Sequence, residues 1–124
     1  MTSVKSRKAK GRRLQTYVRD ALYNSFCKIC PSLEPDDIKS QTMGMCGEDI
    51  VLSPAAKKII QYSFECKNQE RLNLWGSLLQ AEENADERTP VLVFKRNNSK
   101  TYATIPFEEY MRLIINDAEV RSES

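Results

Sequence analysis

The chain has 124 residues, of which 40% are hydrophobic and 29% charged, a composition ordinary for one globular domain with a single core. No apolar run approaches the ~20 residues that a membrane-spanning helix needs, and no apolar signal segment follows the N-terminal lysines. Length and composition therefore argue against a second large domain and a membrane span, and we expect a soluble intracellular protein.

The net charge is only +2, but it is unevenly distributed along the chain. Seven basic residues precede the first acid, Asp20, whereas the end of the chain is acidic. Residues 1–10 lack apolar periodicity, so we predict a flexible basic arm, which is either a solvated tail or a segment that binds a polyanion. The basic residues that would contact a polyanion are Arg7, Lys8, Lys10, Arg12 and Arg13.

Apolar residues recur at helical spacing from Leu14 to Phe26 and predict a first helix. This helix should end by Cys30, because the following proline disfavours helical geometry. From residue 32 to 48 the sequence predicts an irregular connection with a helical turn near Pro35, and long connections of this kind are often functional.

Cys27 and Cys30 have the two-residue gap of a zinc knuckle or a redox pair. The chain contains no second such pair and no histidine, so a structural zinc site is the weaker interpretation. With Cys46 and Cys66 scattered elsewhere, we predict reduced thiols rather than a disulfide framework.

Two strands are predicted next, from Asp49 to Leu52 and over residues 59–67, and the turn between them favours an antiparallel hairpin. Alternation along the second strand places Cys66 toward a core and Glu65 with Lys67 on the opposite side. If the strands pair, Asp49 reaches Glu65 and the two carboxylates can bind a divalent cation beside the lysine. The competing interpretation is a surface acid pair with a solvated lysine.

A second helix is predicted over residues 69–85, with a core face of Leu72, Trp75, Leu78 and Leu79. Polar residues form another stripe that contains Gly76, and a glycine inside a helix indicates close approach of a strand or ligand. Gln80 lies one turn further along this stripe, as either a site residue or an ordinary polar surface residue.

The run from Val91 to Phe94 predicts a central strand buried on both faces, followed by a turn and a strand over residues 101–105. Lys95 and Arg96, at the end of the buried strand, are either turn residues or phosphate contacts. A last helix should begin at Pro106, bury one side and give way to a frayed acidic tail at residues 117–124, which leaves a single domain over residues 11–116. The predicted buried side consists of Phe107, Tyr110, Met111, Ile114 and Ile115.

The order of helix, strand pair with Asp49 and then Glu65-Cys66-Lys67, helix and two strands resembles the PD-(D/E)xK nuclease superfamily. The basic segment from Lys10 to Leu14 and the glycine-containing connection resemble, more narrowly, the Holliday junction resolvases of archaea and their phage-encoded relatives. This resemblance spans residues 8–115. It implies an α/β fold with a restriction-endonuclease-like core, in which helices flank a mixed four-stranded sheet in the order α-β-β-α-β-β-α.

The resemblance also assigns roles. Asp49 and Glu65 match the metal-binding carboxylates, the main-chain carbonyl of Cys66 completes the coordination, and Lys67 matches the lysine near the attacking water. Gln15 stands where the resolvases carry a metal-binding glutamate, and Ser40 matches a loop serine.

The implied protein is an Mg²⁺- or Mn²⁺-dependent endodeoxyribonuclease that cuts branched DNA in recombination or repair. It would act as a homodimer, because a branched substrate has two strands to be cut symmetrically, in the cytoplasm of a bacterium or phage-infected host. Another structure-specific or restriction-like nuclease and a catalytically inactive DNA-binding protein of the same fold are the alternatives.

Overall fold

The computed structural model describes residues 3–42 and 47–123 and has an α/β fold, as predicted. These two described stretches form four helices and two small sheets, with a single 3-10 turn at Pro35–Asp37. The elements are α1 Val4–Ile29, β1 Ile38–Ser40, β2 Ile50–Leu52, α2 Pro54–Lys57, β3 Tyr62–Asn68, α3 Leu74–Asn84, β4 Thr89–Lys95, β5 Tyr102–Thr104 and α4 Phe107–Ser122. Within the described residues, no helix combines the length and apolar character needed to cross a membrane.

Helix α1 begins earlier than the sequence pattern predicted. Residues 4–10, expected in a flexible arm, form its first turns, and the Ser3 hydroxyl caps them by accepting a hydrogen bond from the Ser6 N–H at 3.1 Å. Lysine, arginine and alanine are good helix formers, so this segment needs no apolar stripe to be helical. The helix ends at Ile29, before Pro31, as predicted.

The strands form two sheets rather than the predicted four-stranded sheet. β1 pairs antiparallel with β2, whereas β3 pairs parallel with β4 and β4 pairs antiparallel with β5. The expected hairpin between residues 49–52 and 59–67 is therefore wrong, because β2 takes its partner from residues 38–40 of the predicted connection. β1 carries one fully buried apolar side chain, Ile38, too weak a signal for a strand. Helix α2, capped by Ser53, then separates β2 from β3.

The middle strand of the larger sheet, β4, is buried on both faces. Val91 and Val93 of β4 belong to the main core together with Leu14 and Val18 of α1. Leu92 points to the other face and is 1% exposed. The predicted central position of this strand is confirmed, because β4 lies between β3 and β5.

Helix α3 packs through small residues instead of the predicted large ones. Ser77 and Ala81 are its buried side chains, whereas Trp75, expected in the core, is 79% exposed. Gly76 leaves room for the capping side chain of Asn73, whose Oδ1 accepts a hydrogen bond from the Gly76 N–H at 3.0 Å. The close approach predicted at this glycine is therefore made by the helix cap.

Helix α4 also differs from expectation. None of its residues, all of which are described, is buried, so the predicted apolar side does not pack on the domain. The helix continues through residues 117–122, which were expected to fray. Hydrogen bonds near its start join the helix to β3. The Tyr62 hydroxyl donates to the Glu109 carboxylate, and the Arg112 guanidinium donates to both of these groups.

Candidate nuclease site

Asp49 lies in the bend directly before β2, and two hydrogen bonds join it to β3. Its main-chain N–H donates to the Phe64 carbonyl at 3.1 Å, and its Oδ2 accepts from the Cys66 N–H at 2.7 Å. The Asp49 carbonyl accepts from the Gln41 N–H at 2.7 Å, next to β1. The predicted meeting of Asp49 with the Glu65-Cys66-Lys67 segment is thus present, although it does not depend on a hairpin.

Glu65 is a buried carboxyl group on β3, with only 2% of its surface exposed. Burial, and after it the negative charge of Asp49, raises the pKa of Glu65 to about 7. Burial also raises the pKa of Asp49, against the opposing effect of the Cys66 N–H. The two carboxyl groups are close enough to share a proton, so they form one coupled acid pair.

Lys67 lies on the same face of β3 as Glu65, two residues further along. Its positive charge lowers the pKa of both carboxyl groups, which places the ammonium group near the pair. Between them, Cys66 contributes a buried thiol whose pKa is raised by burial, so this sulfur is a poor nucleophile near neutral pH. The chemistry of the site therefore belongs to the two acids and the lysine.

Asn84, the last residue of α3, makes the helix contact that the sequence pattern assigned to Gln80. Its Nδ2 donates to Glu65 Oε1 and to the Gly47 carbonyl, both at 3.2 Å. Gln80 lies one turn earlier and is exposed. Asn84 thus joins β3 to the segment before Asp49, a role that its place at a predicted helix end did not reveal.

A second network fixes the residue before Asp49. Glu48 accepts a hydrogen bond from the Ser63 hydroxyl at 2.9 Å and pairs with Arg88, and both charged side chains are 12% exposed. Arg88 also donates to the Tyr62 carbonyl at 3.2 Å. Sequence inspection missed this pair because Glu48 and Arg88 are 40 residues apart and belong to no local motif.

Gln15 and Ser40, placed near the site by the family resemblance, contact each other. The Ser40 hydroxyl donates to Gln15 Oε1 at 2.9 Å, joining β1 to α1. Gln15 is 4% exposed and neutral. This hydrogen bond is structural, and a neutral amide stands where the resemblance implies an acidic metal ligand.

The basic part of α1 lies beside the end of β3. Asn68 follows Lys67, and its Nδ2 donates to the Lys10 carbonyl at 3.3 Å. From this anchor, Arg7 and Lys8 extend toward the start of the helix, and Arg12 and Arg13 follow toward its end, all four exposed. The predicted polyanion contacts therefore lie around the first turns of an ordered helix, which is joined to the end of β3 through Lys10.

Lys95 ends β4 at the same edge of the sheet. It is the register partner of Asn68, and its carbonyl accepts from the Gln69 N–H at 3.1 Å. Arg96 is exposed in the following turn, where its main chain exchanges hydrogen bonds with the Ser99 hydroxyl. This arrangement fits a phosphate contact for Lys95 and a turn role for Arg96.

The residues suit a hard divalent cation held by few protein ligands. Across residues 3–42 and 47–123, no three His, Cys, Asp or Glu side chains gather into a metal-binding group, so Asp49 and Glu65 are two acids without a third. Magnesium is commonly bound by one or two carboxylates with water completing its coordination. After burial, the negative charge of Asp49 is the next cause of the raised pKa of Glu65, and a cation between the acids would relieve that repulsion.

Cys27 and Cys30 are free thiols away from this site. Cys27 Sγ donates to the Asn24 carbonyl, and Cys30 Sγ hydrogen-bonds with Ser32, both at the end of α1. Cys46 and Gly44 of the predicted glycine-containing connection lie outside the described residues.

No family model matches the chain, and no curated protein or solved structure matches it.

Proposed function

We propose that this chain is a metal-dependent endodeoxyribonuclease of the PD-(D/E)xK type, acting on branched DNA. The observation that carries the proposal is the coupled pair of Asp49 and Glu65 with Lys67 beside it. Buried acids of this kind are costly to a fold, and groups with strongly perturbed pKa values concentrate at functional sites.

The acids and the lysine divide the work of phosphodiester hydrolysis. Asp49 and Glu65 would hold Mg²⁺ or Mn²⁺, with the Cys66 carbonyl as a further ligand, and the bound ion would lower the pKa of a water and offset phosphate charge. Lys67 would place a fixed positive charge where negative charge grows on the phosphate as the water attacks and the P–O bond breaks. Asn84 holds the Glu65 carboxylate in position through its 3.2 Å hydrogen bond.

DNA would lie along the basic N-terminal part of α1. Arginine and lysine side chains there would neutralise phosphates and release counterions, which gives salt-sensitive binding that does not depend on base sequence. The Asn68 contact with Lys10 joins this part of α1 to the end of β3, directly after Lys67. Binding of this kind favours recognition of DNA by shape, as a branched substrate requires.

The deciding assay compares a synthetic four-way junction with linear duplex, each incubated with Mg²⁺. We expect the junction to be cut preferentially, and cutting to be lost in Asp49→Asn with DNA binding retained. Asp86→Asn is the matched control, because Asp86 is an exposed acid whose positive φ of 55° suits asparagine. Equal cutting of junction and duplex would favour a restriction-like or repair nuclease.

A catalytically inactive DNA-binding protein is the second candidate, and Gln15 is the observation that favours it. A buried neutral amide occupies the position at which the resolvases carry an acid. DNA binding by the wild type without metal-dependent cleavage of any DNA form would establish this alternative and remove the nuclease proposal.

A further inference from the structure

A groove between helix α3 and the end of strand β5 is lined mainly by apolar side chains. It is a cavity of about 350 Å³, to which α3 contributes Trp75, Leu78 and Leu79 and the segment after β5 contributes Ile105 and Pro106. Trp75 and Leu79 are 79% and 57% exposed, so the groove is open to solvent. Apolar side chains that line one open groove are typical of a site that binds apolar groups of a partner.

Thr104, the last residue of β5, also lines this groove. Its hydroxyl oxygen is buried and has no hydrogen-bond partner among the described residues. Buried polar groups in proteins almost always have such a partner, and leaving one without it is costly. An occupant that carries hydrogen-bonding groups as well as apolar ones would therefore fit this groove best.

β5 is an edge strand of the larger sheet. It pairs with β4 on one side, and no other strand within residues 3–42 and 47–123 pairs with its second side. Helix α4 does not follow this edge, because its first turns bond to Tyr62 on β3, which lies on the far side of β4. An exposed edge presents main-chain N–H and C=O groups with which an extended segment of another chain can pair.

Charge narrows the class of segment. Glu82 is the single charged side chain among the described residues that line the groove, and it is exposed. It lies two helical turns after Trp75, roughly 10 Å further along α3. Side chains on one face of an extended segment are about 7 Å apart, so three successive ones span this distance. A basic side chain among them would complement Glu82, whereas a nucleic acid would meet it with like charge.

We propose that this groove and the open edge of β5 bind an extended segment of a partner protein that carries apolar and basic side chains. The segment would pair its main chain with β5 as an additional strand. Its alternate side chains would enter the groove, with the apolar ones beside Trp75 and Leu79 and the basic one beside Glu82. The inference goes beyond the nuclease proposal and does not rest on it.

The test uses two synthetic seven-residue peptides in which threonine alternates with two leucines and one lysine. The lysine comes first of these three in one peptide and last in the other, so that both strand directions are sampled. Trp75 is the sole tryptophan, so its emission reports binding directly. We expect a shift to shorter wavelength that saturates with a Kd of roughly 10 μM to 1 mM for the better peptide, because binding removes the indole from water.

Methylation of the peptide main chain tests the strand pairing. Along an extended chain, the N–H groups of alternate residues point to opposite sides, so one set faces β5 and the other faces away. N-methylation of one set should weaken binding about tenfold, and methylation of the other set should leave binding unchanged. Equal binding of the two methylated forms would overturn the proposed pairing.

Reversal of one charge tests the groove. Glu82→Lys should weaken binding of the lysine peptide about tenfold and strengthen binding of the same peptide with glutamate in place of lysine. Glu83→Lys is the matched control, because Glu83 is an adjacent exposed glutamate that does not line the groove. Equal effects of the two variants, or no change in Trp75 emission with either peptide, would overturn the inference. A response of this emission to single-stranded DNA but to no peptide would also overturn it.

Discussion

Replacing Glu65 with glutamine should stabilise the metal-free protein at about pH 8, although it removes an acid from the candidate site. Glu65 has a pKa of about 7 in the folded protein, against an ordinary value of 4.5. Between pH 4.5 and about 7, the Glu65 carboxyl group keeps its proton in the folded protein but has lost it in the unfolded chain. The stability due to this group therefore falls as the pH rises from 4.5 through about 7.

The difference between the two pKa values sets an upper limit of roughly 3 kcal/mol for the cost of ionising this carboxyl group inside the fold. Glutamine has nearly the same shape, stays neutral, and keeps an oxygen that can accept from Asn84. The gain in Glu65→Gln should therefore approach ~3 kcal/mol near pH 8 and fall below ~1 kcal/mol near pH 5.

The assay is urea unfolding in EDTA, followed by circular dichroism, at about pH 5 and about pH 8. Glu83→Gln is the control, because Glu83 is an exposed glutamate on the same helix as Asn84. A Glu65→Gln variant less stable than the wild type near pH 8, or a difference independent of pH, would refute this account. Added Mg²⁺ should raise the melting temperature of the wild type more than that of Glu65→Gln, since a bound ion stabilises the folded state that holds it.

The remaining predictions concern positioning and DNA contacts. Asn84→Ala should lower the cleavage rate about ten- to a hundredfold with the fold retained, measured as single-turnover cutting of a junction, and Gln80→Ala should cut normally. Arg12→Ala and Arg13→Ala should each reduce the slope of log affinity against log salt by about 1, measured by fluorescence anisotropy with labelled DNA. An unchanged slope would remove α1 from the DNA-binding face. Asp49→Asn should bind DNA without cutting it, and an active Asp49→Asn variant would remove the metal-site assignment.

Part of the candidate site could be predicted because its signal is local. Alternation along β3 placed Glu65 and Lys67 on one face, whereas the approach of Asp49 was predicted through a hairpin that does not form, and hydrogen bonds from the bend before β2 make it instead. Long-range partners such as Arg88 could not be found in this way, since nothing near either residue marks the contact with Glu48. The contact of Asn84 with Glu65 could not be predicted either, because a polar residue at a helix end is usually part of a cap.

The fold was predicted less completely than the site. The three-residue strand β1 has one buried side chain, so its pairing with β2 depends on tertiary contacts that no local pattern displays. The apolar stripes of α3 and α4 were detected, but periodicity identifies a face without saying what covers it. Trp75 was therefore assigned to the core, whereas small side chains such as Ala81 occupy that position.

The candidate site bridges two separately hydrogen-bonded pieces of the molecule. Asp49 lies directly before β2 of the smaller sheet, and Glu65 lies on β3 of the larger sheet. The hydrogen bond from the Asp49 N–H to the Phe64 carbonyl joins the two sheets. The packing of the two sheets against each other thus sets the distance between the Asp49 and Glu65 carboxyl groups. If the nuclease proposal holds, altered packing beneath the smaller sheet, at Ile38 or Ile50, should change the cleavage rate through the spacing of Asp49 and Glu65.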